Sequence, residues 1–211
     1  MNDYRFGDGL HLELTSRCRL ACPNCERTRF KGRYKIRDLP QDLVFRLVEN
    51  PHFKKIMLSG TLGDPIYHPY FLEIVKKIKQ SHKELKIATN GSGKTLEWWE
   101  KVFNQLDNHD KICFGLDGLQ DTAHLYRINT NFFQVFEAMK LGAAINRAVI
   151  EWQFIIFSFN QHQIEEANQL AQKFGIKFTI LKSGRFKPDD PLLPDTKWLP
   201  ETLKKKLTRG G

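Results

Sequence analysis

The stretch KKIMLSGTLGDPIYHPYFLEIVKKIKQSHKELKIATN, residues 54–90, contains one complete unit of strand, helix and strand. It begins with a β-rich run from Lys54 to Ser59 and ends with another from Leu85 to Thr89. Between the two runs, four apolar side chains recur at i, i+3, i+4 and i+7, the spacing of one buried helical face. They are Phe71, Ile74, Val75 and Ile78. Because a helical crossover returns the chain in its original direction, this unit predicts two parallel strands.

The same alternation continues on both sides of this unit. Upstream, a strand from His11 to Thr15 is followed by a helix from Gln41 to Glu49, which Pro40 precedes. Downstream, three further strands are predicted, at Lys111–Leu116, Ala148–Phe157 and Ile176–Leu181. Three further helices are predicted. Two are indicated by apolar faces, one made of Leu96, Trp99, Phe103 and Leu106 and the other of Phe132, Val135, Phe136, Met139 and Ala143. The third covers Gln163–Phe174 and ends before Gly175.

Six strand and helix units in succession predict an α/β protein with a mostly parallel sheet. They are too few for a closed eight-stranded barrel of ordinary design, which leaves a partial (β/α)6 barrel, open on one side, or an open doubly wound sheet. In both architectures, ligands collect at the C-terminal ends of the strands. We assign residues 1–186 to this domain and expect residues 187–211 to form an extended strap with a short basic helix.

Composition narrows the class of protein. A chain of 211 residues with 41% hydrophobic residues can bury the core of one large domain, and no apolar run is long enough to span a membrane. The N-terminus lacks the pattern of a secretory signal, so we expect reduced thiols and a cytoplasmic location. The formal net charge of +9 favours acidic partners of some kind, such as nucleic acid, acidic proteins or phosphorylated substrates.

Three of the four cysteines are crowded into RCRLACPNCERTRF, residues 17–30, just after the first predicted strand. Cys18, Cys22 and Cys25 follow the pattern Cys-x-x-x-Cys-x-x-Cys, whose thiolates can converge on one metal centre. A closed structural zinc site needs four ligands, whereas three cysteines on a four-iron cluster leave one iron open. Cys113 lies in an apolar strand, where core packing is the expected role.

Five segments, in this order, resemble the radical S-adenosylmethionine (SAM) enzymes: LELTSRCRLACPNCERT, SGTLGDPIYHP, ATNGS, GLDGLQDTAHLYR and WQFIIFSFNQHQIEEA. The resemblance extends over roughly residues 8–186 and is strongest to the branch with peptide-modifying and coenzyme-synthesis enzymes. It implies that Cys18, Cys22 and Cys25 ligate a 4Fe-4S cluster whose fourth iron binds SAM. Reductive cleavage of SAM then gives methionine and a 5′-deoxyadenosyl radical, which abstracts hydrogen from a substrate.

The resemblance also implies which residues bind SAM. Gly60, Gly63 and Asp64 stand where the family has a Gly-Gly-Glu stretch that contacts the methionyl ammonium. Asn90 and Asp117, at two later strand ends, are expected to contact ribose or carboxylate groups. Glycine, asparagine and aspartate also make ordinary turns, which is the alternative interpretation of each position.

Three further polar residues lie in or just after the last two predicted strands. Gln153 lies in an apolar strand, where its amide needs hydrogen-bond partners from a ligand or a neighbour. Lys182 and Arg185 follow the sixth strand and can bind a carboxylate or a phosphate. Two residues depart from the family, since Gly115 replaces a frequent serine and Asn24 replaces a large apolar residue near adenine.

The favoured hypothesis is a radical SAM enzyme that acts on a peptide or small molecule and receives electrons from an acidic flavodoxin or ferredoxin. A first alternative directs the same radical at RNA or DNA, although the chain has no recognisable nucleic-acid module. A second alternative is a non-catalytic zinc- or cluster-binding domain with His11 or Cys113 as an additional ligand. After Cys113 no cysteine follows, so the cysteine-rich C-terminal extension of peptide-modifying relatives is missing from this sequence.

Overall fold

The computed structural model describes residues 7–185 and 189–199, and a single six-stranded sheet organises them. The strands pair in chain order, and each pairs in parallel with the next. Their bounds are β1 Gly9–Leu12, β2 Lys55–Leu58, β3 Glu84–Thr89, β4 Lys111–Gly115, β5 Val149–Ile155 and β6 Lys177–Leu181. Because β1 and β6 remain the two edges, the sheet is open and the predicted partial (β/α)6 barrel is confirmed.

Helices fill the connections between these strands. Their bounds are α1 Glu26–Arg29, α2 Gln41–Glu49, α3 Phe71–Gln80, α4 Leu96–Phe103, α5 Ala123–Tyr126, α6 Phe132–Ile145 and α7 Ile164–Lys173. The apolar face predicted for α3 is buried completely or nearly so at all four positions. Leu96 departs from the predicted face of α4 and is 42% exposed, because it is the first helical residue after the N-cap Thr95. No helix in the described part of the chain is long and apolar enough to cross a bilayer.

The two faces of the sheet differ in chemistry. One face, here called the helix-covered face, packs against the helices through side chains such as Ile87, Phe114 and Trp152, all fully buried. The other, here called the cavity face, carries Lys86, Cys113, Gln153 and their neighbours in register. In a strand, successive side chains point to opposite faces, and the alternating burial of β3 follows this period of two.

Two strands depart most from their predicted bounds, and the other four agree with them to within one residue at each end. The first was predicted at His11–Thr15 but β1 ends at Leu12, and Thr15 instead forms an antiparallel bridge with Asp38. The fifth was predicted to reach Phe157 but β5 ends at Ile155. There the side chain of Asp117 accepts a hydrogen bond from Ile155 N at 2.9 Å, and Asn160 Oδ1 accepts one from Phe157 N at 2.7 Å. Side chains therefore replace the backbone ladder on the β4 side of this strand end, while Ile156 N still donates to Leu181 O at 2.9 Å on the β6 side.

The segment after β6 is described only in part. Residues 189–199 include a short 3-10 helix at Thr196–Trp198 and contact the loop after β5, where Ser158 N donates to Leu192 O at 3.1 Å. The extended strap over the whole of residues 187–211 stays a prediction. Ser158 Oγ donates to Pro191 O at 2.8 Å, and Asp195 N donates to Gln161 Oε1 at 2.7 Å. The predicted short basic helix falls on residues 200–211, which lie outside the described residues.

Candidate functional site

A cavity of about 380 Å³ lies at the C-terminal ends of the strands. Parallel sheets place their ligands at this edge. Eight of the nine site residues predicted from the sequence line this cavity: Cys18, Cys22, Cys25, Gly60, Gly63, Asp64, Asn90 and Gln153. The ninth, Asp117, does not line it.

The three cysteines lie on the loop that follows β1, and each thiol is partly exposed to the cavity. The loop turns tightly, since Cys25 N donates to Cys22 O at 3.1 Å. Asp64 N donates to Arg17 O at 2.8 Å, and Asn90 Nδ2 approaches Cys18 Sγ at 3.5 Å. Backbone and side-chain contacts from the ends of β2 and β3 therefore hold the cysteine loop over the cavity.

The donor set of this loop fits a 4Fe-4S cluster. Cys18, Cys22 and Cys25 are partly exposed and line one cavity. Three thiolates can each bind a different iron of such a cluster and leave the fourth iron open.

Burial disfavours the thiolate form of two of these cysteines, Cys18 and Cys22. Burial raises the pKa of Cys18 to about 11, and the negative charge of Asp64 acts in the same direction. Burial also raises the pKa of Cys22, although the positive charge of Arg127 opposes this. Since thiolates are the ligands of iron, cluster binding must release protons here.

Gly63 lets the loop after β2 pass directly beneath the cysteine loop. A Cβ atom at this position would overlap with the carbonyl oxygen of Thr15, and the backbone of one of the two loops would have to move. A Cβ at Gly60 would lie 2.6 Å from the carbonyl oxygen of Gly63. Glycine at Gly63 therefore permits the close approach of the two loops, and glycine at Gly60 permits the tight turn within the loop after β2.

Asp64 is the centre of a buried hydrogen-bond network and is only 5% exposed. Its Oδ1 accepts from Thr89 Oγ1 at 2.8 Å and from Ile66 N at 3.3 Å, while Oδ2 accepts from Asn90 N at 2.6 Å and from Asn90 Nδ2. Burial raises the pKa of this carboxyl to about 6. The four acceptor positions of a carboxylate are thus occupied within the protein, and the contact between Asp64 and the methionyl ammonium stays a prediction.

Asp117 pairs with Arg127 behind the cavity wall. Asp117 is fully buried, and its Oδ2 lies 2.7 Å from Arg127 Nε. Arg127 itself lines the cavity, and a Cβ at Gly115 would lie 2.6 Å from one of its terminal nitrogens. The glycine that replaces the family serine therefore makes room for a guanidinium group. The predicted direct contact of Asp117 with SAM stays untested, and the group that reaches the cavity is Arg127.

The remaining predicted polar residues surround the open side of the cavity. Gln153 Nε2 donates to Glu151 Oε1 at 3.0 Å, so a neighbour supplies one of its partners. Lys182 and Arg185 both line the cavity, and Arg185 Nη1 donates to Asn24 O at 3.2 Å. The loop after β6 is thereby tied to the cysteine loop across the open edge of the sheet.

Sequence reasoning missed the pair formed by Glu13 and Thr61. Thr61 N donates to Glu13 Oε2 at 2.9 Å, and Thr61 Oγ1 donates to Glu13 Oε1 at 2.7 Å. Thr61 lines the cavity, and its carbonyl accepts from Cys25 Sγ at 3.8 Å. Glu13 lies just beyond β1, exposed between the buried residues Leu12 and Leu14, and this alternation was the signal that its side chain points away from the core.

Comparisons with known proteins agree with this geometry. The family model of the radical SAM superfamily matches residues 12–180. The tungsten-containing aldehyde ferredoxin oxidoreductase cofactor-modifying protein of Pyrococcus furiosus is 33% identical over 114 residues, which are 52% of this chain and 31% of that protein. The probable GTP 3′,8-cyclase of Thermococcus kodakarensis is 32% identical over 93 residues, which are 42% of this chain and 30% of that protein.

A solved structure shows the same fold. Streptococcus suis SuiB bound to S-adenosylmethionine superposes with a TM-score of 0.71 at 12% identity, over 97% of this chain and 48% of SuiB. The chain thus spans about half the length of SuiB, and its matches cover less than a third of either curated relative. Because the family match covers most of the chain, this protein belongs to the radical SAM superfamily, whose enzymes bind a 4Fe-4S cluster and S-adenosylmethionine.

Proposed function

We propose that this enzyme abstracts a hydrogen atom from a peptide or a small molecule bound at the open side of the cavity. When bound, the cluster and SAM together supply the 5′-deoxyadenosyl radical for this step. The observation that carries the proposal is the meeting of Cys18, Cys22 and Cys25 with the ends of β2 and β3 around one cavity. A volume of about 380 Å³ is within the usual range of small-molecule sites.

Each lining residue has a role that follows from its position. Cys18, Cys22 and Cys25 hold the cluster, and Asn90 orients Cys18 by its amide contact at 3.5 Å. Asp64 acts through Asn90, because its carboxylate fixes both the backbone and the side-chain nitrogen of that residue.

At the opposite wall of the cavity, Arg127 presents its terminal nitrogens beside Gly115. A guanidinium there suits the carboxylate of the methionyl group, since it can donate two parallel hydrogen bonds. Asp117 holds the guanidinium through Nε, at 2.7 Å, and leaves the terminal nitrogens for this contact.

The cavity face supports a peptide as the preferred substrate class. Along β4 and β5 it carries cationic, anionic and amide side chains, including Lys111, Glu151 and Gln153. Such a surface can bind an extended backbone and polar side chains at several points. SuiB, which shares the fold, has also been solved bound to its precursor peptide SuiA, and that structure superposes on this chain with a TM-score of 0.71.

The arrangement of the possible additional ligands argues against a zinc-binding domain. His11 Nε2 lies 2.6 Å from Ser59 Oγ, and Cys113 is buried on β4. Neither forms a group with two other metal-ligating side chains among the residues that the structure describes. Within residues 7–185 and 189–199, these two residues therefore do not supply the fourth protein ligand that a closed zinc site needs.

The test is deoxyadenosine formation from SAM by anaerobically reconstituted protein with a strong chemical reductant. We expect deoxyadenosine from the wild type and from Cys113→Ala, but not from Cys22→Ala. Cys113→Ala is the matched control, since it removes a cysteine from the same cavity without touching the predicted cluster. Equal amounts of deoxyadenosine from wild type and Cys22→Ala would refute the proposal.

A further inference from the structure

Strand β6 is one of the two edges of the sheet, and it runs directly to the cavity. Every residue of Lys177–Leu181 is exposed at least in part, whereas four of the five residues of β4 are buried. Leu181, the last residue of the strand, lines the cavity, and so does Lys182 directly after it. A ligand that follows β6 along its length therefore ends at the cavity.

The outer side of β6 carries backbone groups that lack a partner. Leu181 O accepts from Ile156 N at 2.9 Å, so the backbone groups of Leu181 point toward β5. In a parallel ladder alternate residues bond to the same neighbour, and the N–H and C=O groups of Phe178 and Ile180 therefore point the other way. Among residues 7–185 and 189–199, no backbone group beyond β5 is hydrogen-bonded to either residue. An edge of this kind is a template for pairing with another chain.

The opposite edge of the sheet, β1, is occupied where it approaches the cavity. Just beyond β1, Leu39 N donates to Leu14 O at 2.8 Å, and Ser16 N donates to Arg37 O at 2.9 Å. The chain itself thus covers that edge at its cavity end. Of the two edges, β6 is the one that no described segment covers there.

The side chains along β6 select the sequence of a chain that pairs with it. Phe178 and Ile180 lie on the helix-covered face and are partly exposed at the edge. Lys177 lies on the cavity face, and its side chain is 55% exposed. A paired strand places alternate side chains beside these two kinds of neighbour. Apolar residues fit beside Phe178 and Ile180, and acidic residues fit beside Lys177.

The charge of the cavity face also favours acidic residues on that side of the added strand. Along β2 to β6 this face carries four lysines and two glutamates: Lys55, Glu84, Lys86, Lys111, Glu151 and Lys177. Both glutamates are already paired, Glu84 with Lys55 at 3.3 Å and Glu151 with Lys177 at 3.4 Å. The lysines outnumber the glutamates, so the face is positive and complements an acidic ligand.

We propose that an extended segment of the peptide substrate, with alternating apolar and acidic residues, pairs as an additional strand with the outer edge of β6. This inference rests on the proposed function, because it takes the substrate to be a peptide. The main chain of the segment bonds to the outward groups of Phe178 and Ile180, and its acidic side chains lie beside Lys177. In this mode of recognition the main chain supplies affinity and alternate side chains supply selectivity. The peptide beyond the paired segment then enters the cavity at the end of β6.

The experiment measures binding of short fluorescent peptides to the cluster-loaded protein by fluorescence anisotropy. The parent peptide has blocked ends, alternates valine and glutamate, and is long enough to cover the five residues of β6. In one derivative the valines carry N-methyl groups, and in a second derivative the glutamates carry them. Because alternate N–H groups of a strand point to opposite edges, each derivative has only one edge blocked. A further peptide has lysine in place of glutamate.

We expect one methylated peptide to bind at least about tenfold more weakly than the parent and the other to bind within about twofold of it, because only one edge pairs with β6. The lysine peptide should bind about tenfold more weakly at low salt, and high salt should reduce this difference. Lack of binding by the parent peptide would overturn the proposal. Equal binding of the two methylated peptides, or of the glutamate and lysine peptides, would also overturn it.

A variant of the protein tests the same edge from the other side. Ile180→Pro removes one outward N–H group and leaves the bonds to β5 in place, and edge strands tolerate proline at such positions. Ile180→Val keeps the N–H group and is the matched control. We expect the parent peptide to bind about tenfold more weakly to Ile180→Pro and about equally to Ile180→Val. The methylated peptides keep the test independent of how well the proline variant folds.

Two other outcomes separate this proposal from its alternatives. A dimer of the wild type that Ile180→Pro separates would overturn the proposal, because a second copy of the chain would then occupy the edge. Peptide binding by a wild type that forms no deoxyadenosine with the chemical reductant would count against the proposed function and not against pairing at β6.

Discussion

The two faces of the sheet show how one set of strands serves both stability and chemistry. On the helix-covered face, Trp152 is fully buried and its ring packs against Phe136 and Phe178, at centroid distances of 5.7 and 5.5 Å. On the cavity face, the next residue, Gln153, lines the cavity and binds Glu151. Parallel sheets covered on both sides have strands that are apolar throughout. Alternation in β3 and β5 therefore indicates that one face of this sheet is kept for a ligand.

The largest effect is expected from a comparison of two adjacent residues that lie on opposite faces of the sheet, Trp152 and Gln153. Trp152→Ala should lower the free energy of unfolding by about 3–5 kcal/mol, because it opens a cavity among packed aromatic rings and leaves Leu116 O without its indole donor. Gln153→Ala should lower it by less than about 1 kcal/mol. Urea denaturation followed by circular dichroism measures both. Similar losses in the two variants would contradict the division of the sheet into a structural and a functional face.

An intermediate effect is expected where the cavity meets the core, at the pair of Arg127 and Asp117. Arg127→Ala leaves the carboxylate of Asp117 buried without its partner. This should lower the free energy of unfolding by about 3 kcal/mol, or somewhat less if Asp117 takes up a proton. It should also weaken SAM binding, which calorimetry can measure. Arg147→Ala, at an exposed arginine, is the matched control and should change neither quantity noticeably. Unchanged SAM affinity in Arg127→Ala would show that the guanidinium is structural only.

The smallest effect concerns Glu151, which is held on the cavity face by two lysines. Burial opposes ionisation, but the hydrogen bond from Gln153 and the charges of Lys177 and Lys111 outweigh it, so the pKa of Glu151 is lowered from its ordinary 4.5. A lowered pKa gives stability that is present above the ordinary value and is lost as the pH falls through the folded value.

Glu151→Gln should accordingly lower the free energy of unfolding by about 1 kcal/mol or less at neutral pH, since the lysines are partly exposed and solvent screens them. The difference from the wild type should disappear in acid, below the lowered pKa. Lys111 and Lys177 lie 3.6 and 3.4 Å from the carboxylate. A difference of the same size at both pH values would show that packing, and not charge, accounts for the loss.

The sequence was sufficient for the fold and for most of the cavity lining, because both depend on local order along the chain. Period-two strands and helices with one apolar face define the parallel sheet, and residues directly after strands must then lie at one edge, as Cys18, Gly63 and Asn90 do. Asp117 also follows a strand, yet it turns away from the cavity. Its partner, Arg127, is brought beside it by the loop after β4, and no local pattern encodes that pairing.

The sequence likewise could not show that every hydrogen-bond acceptor position of the Asp64 carboxylate is occupied. Its acceptor positions are filled from β3, by Thr89 and Asn90, some 25 residues further along the chain. A motif match can indicate that an aspartate lies at the site, but it cannot count the donors that other segments bring to it. For the same reason the hydrogen-bonded pair of Glu13 and Thr61, which are 48 residues apart, could not be predicted from the sequence.

The most direct test of the account is the iron and acid-labile sulfide content of anaerobically reconstituted protein. Three thiolates around one cavity predict about four iron and four sulfide per chain in the wild type and in Cys113→Ala. They predict little of either in Cys18→Ala, Cys22→Ala and Cys25→Ala. About one zinc per chain and no iron in the wild type, or an iron content that survives loss of any of the three cysteines, would contradict the account.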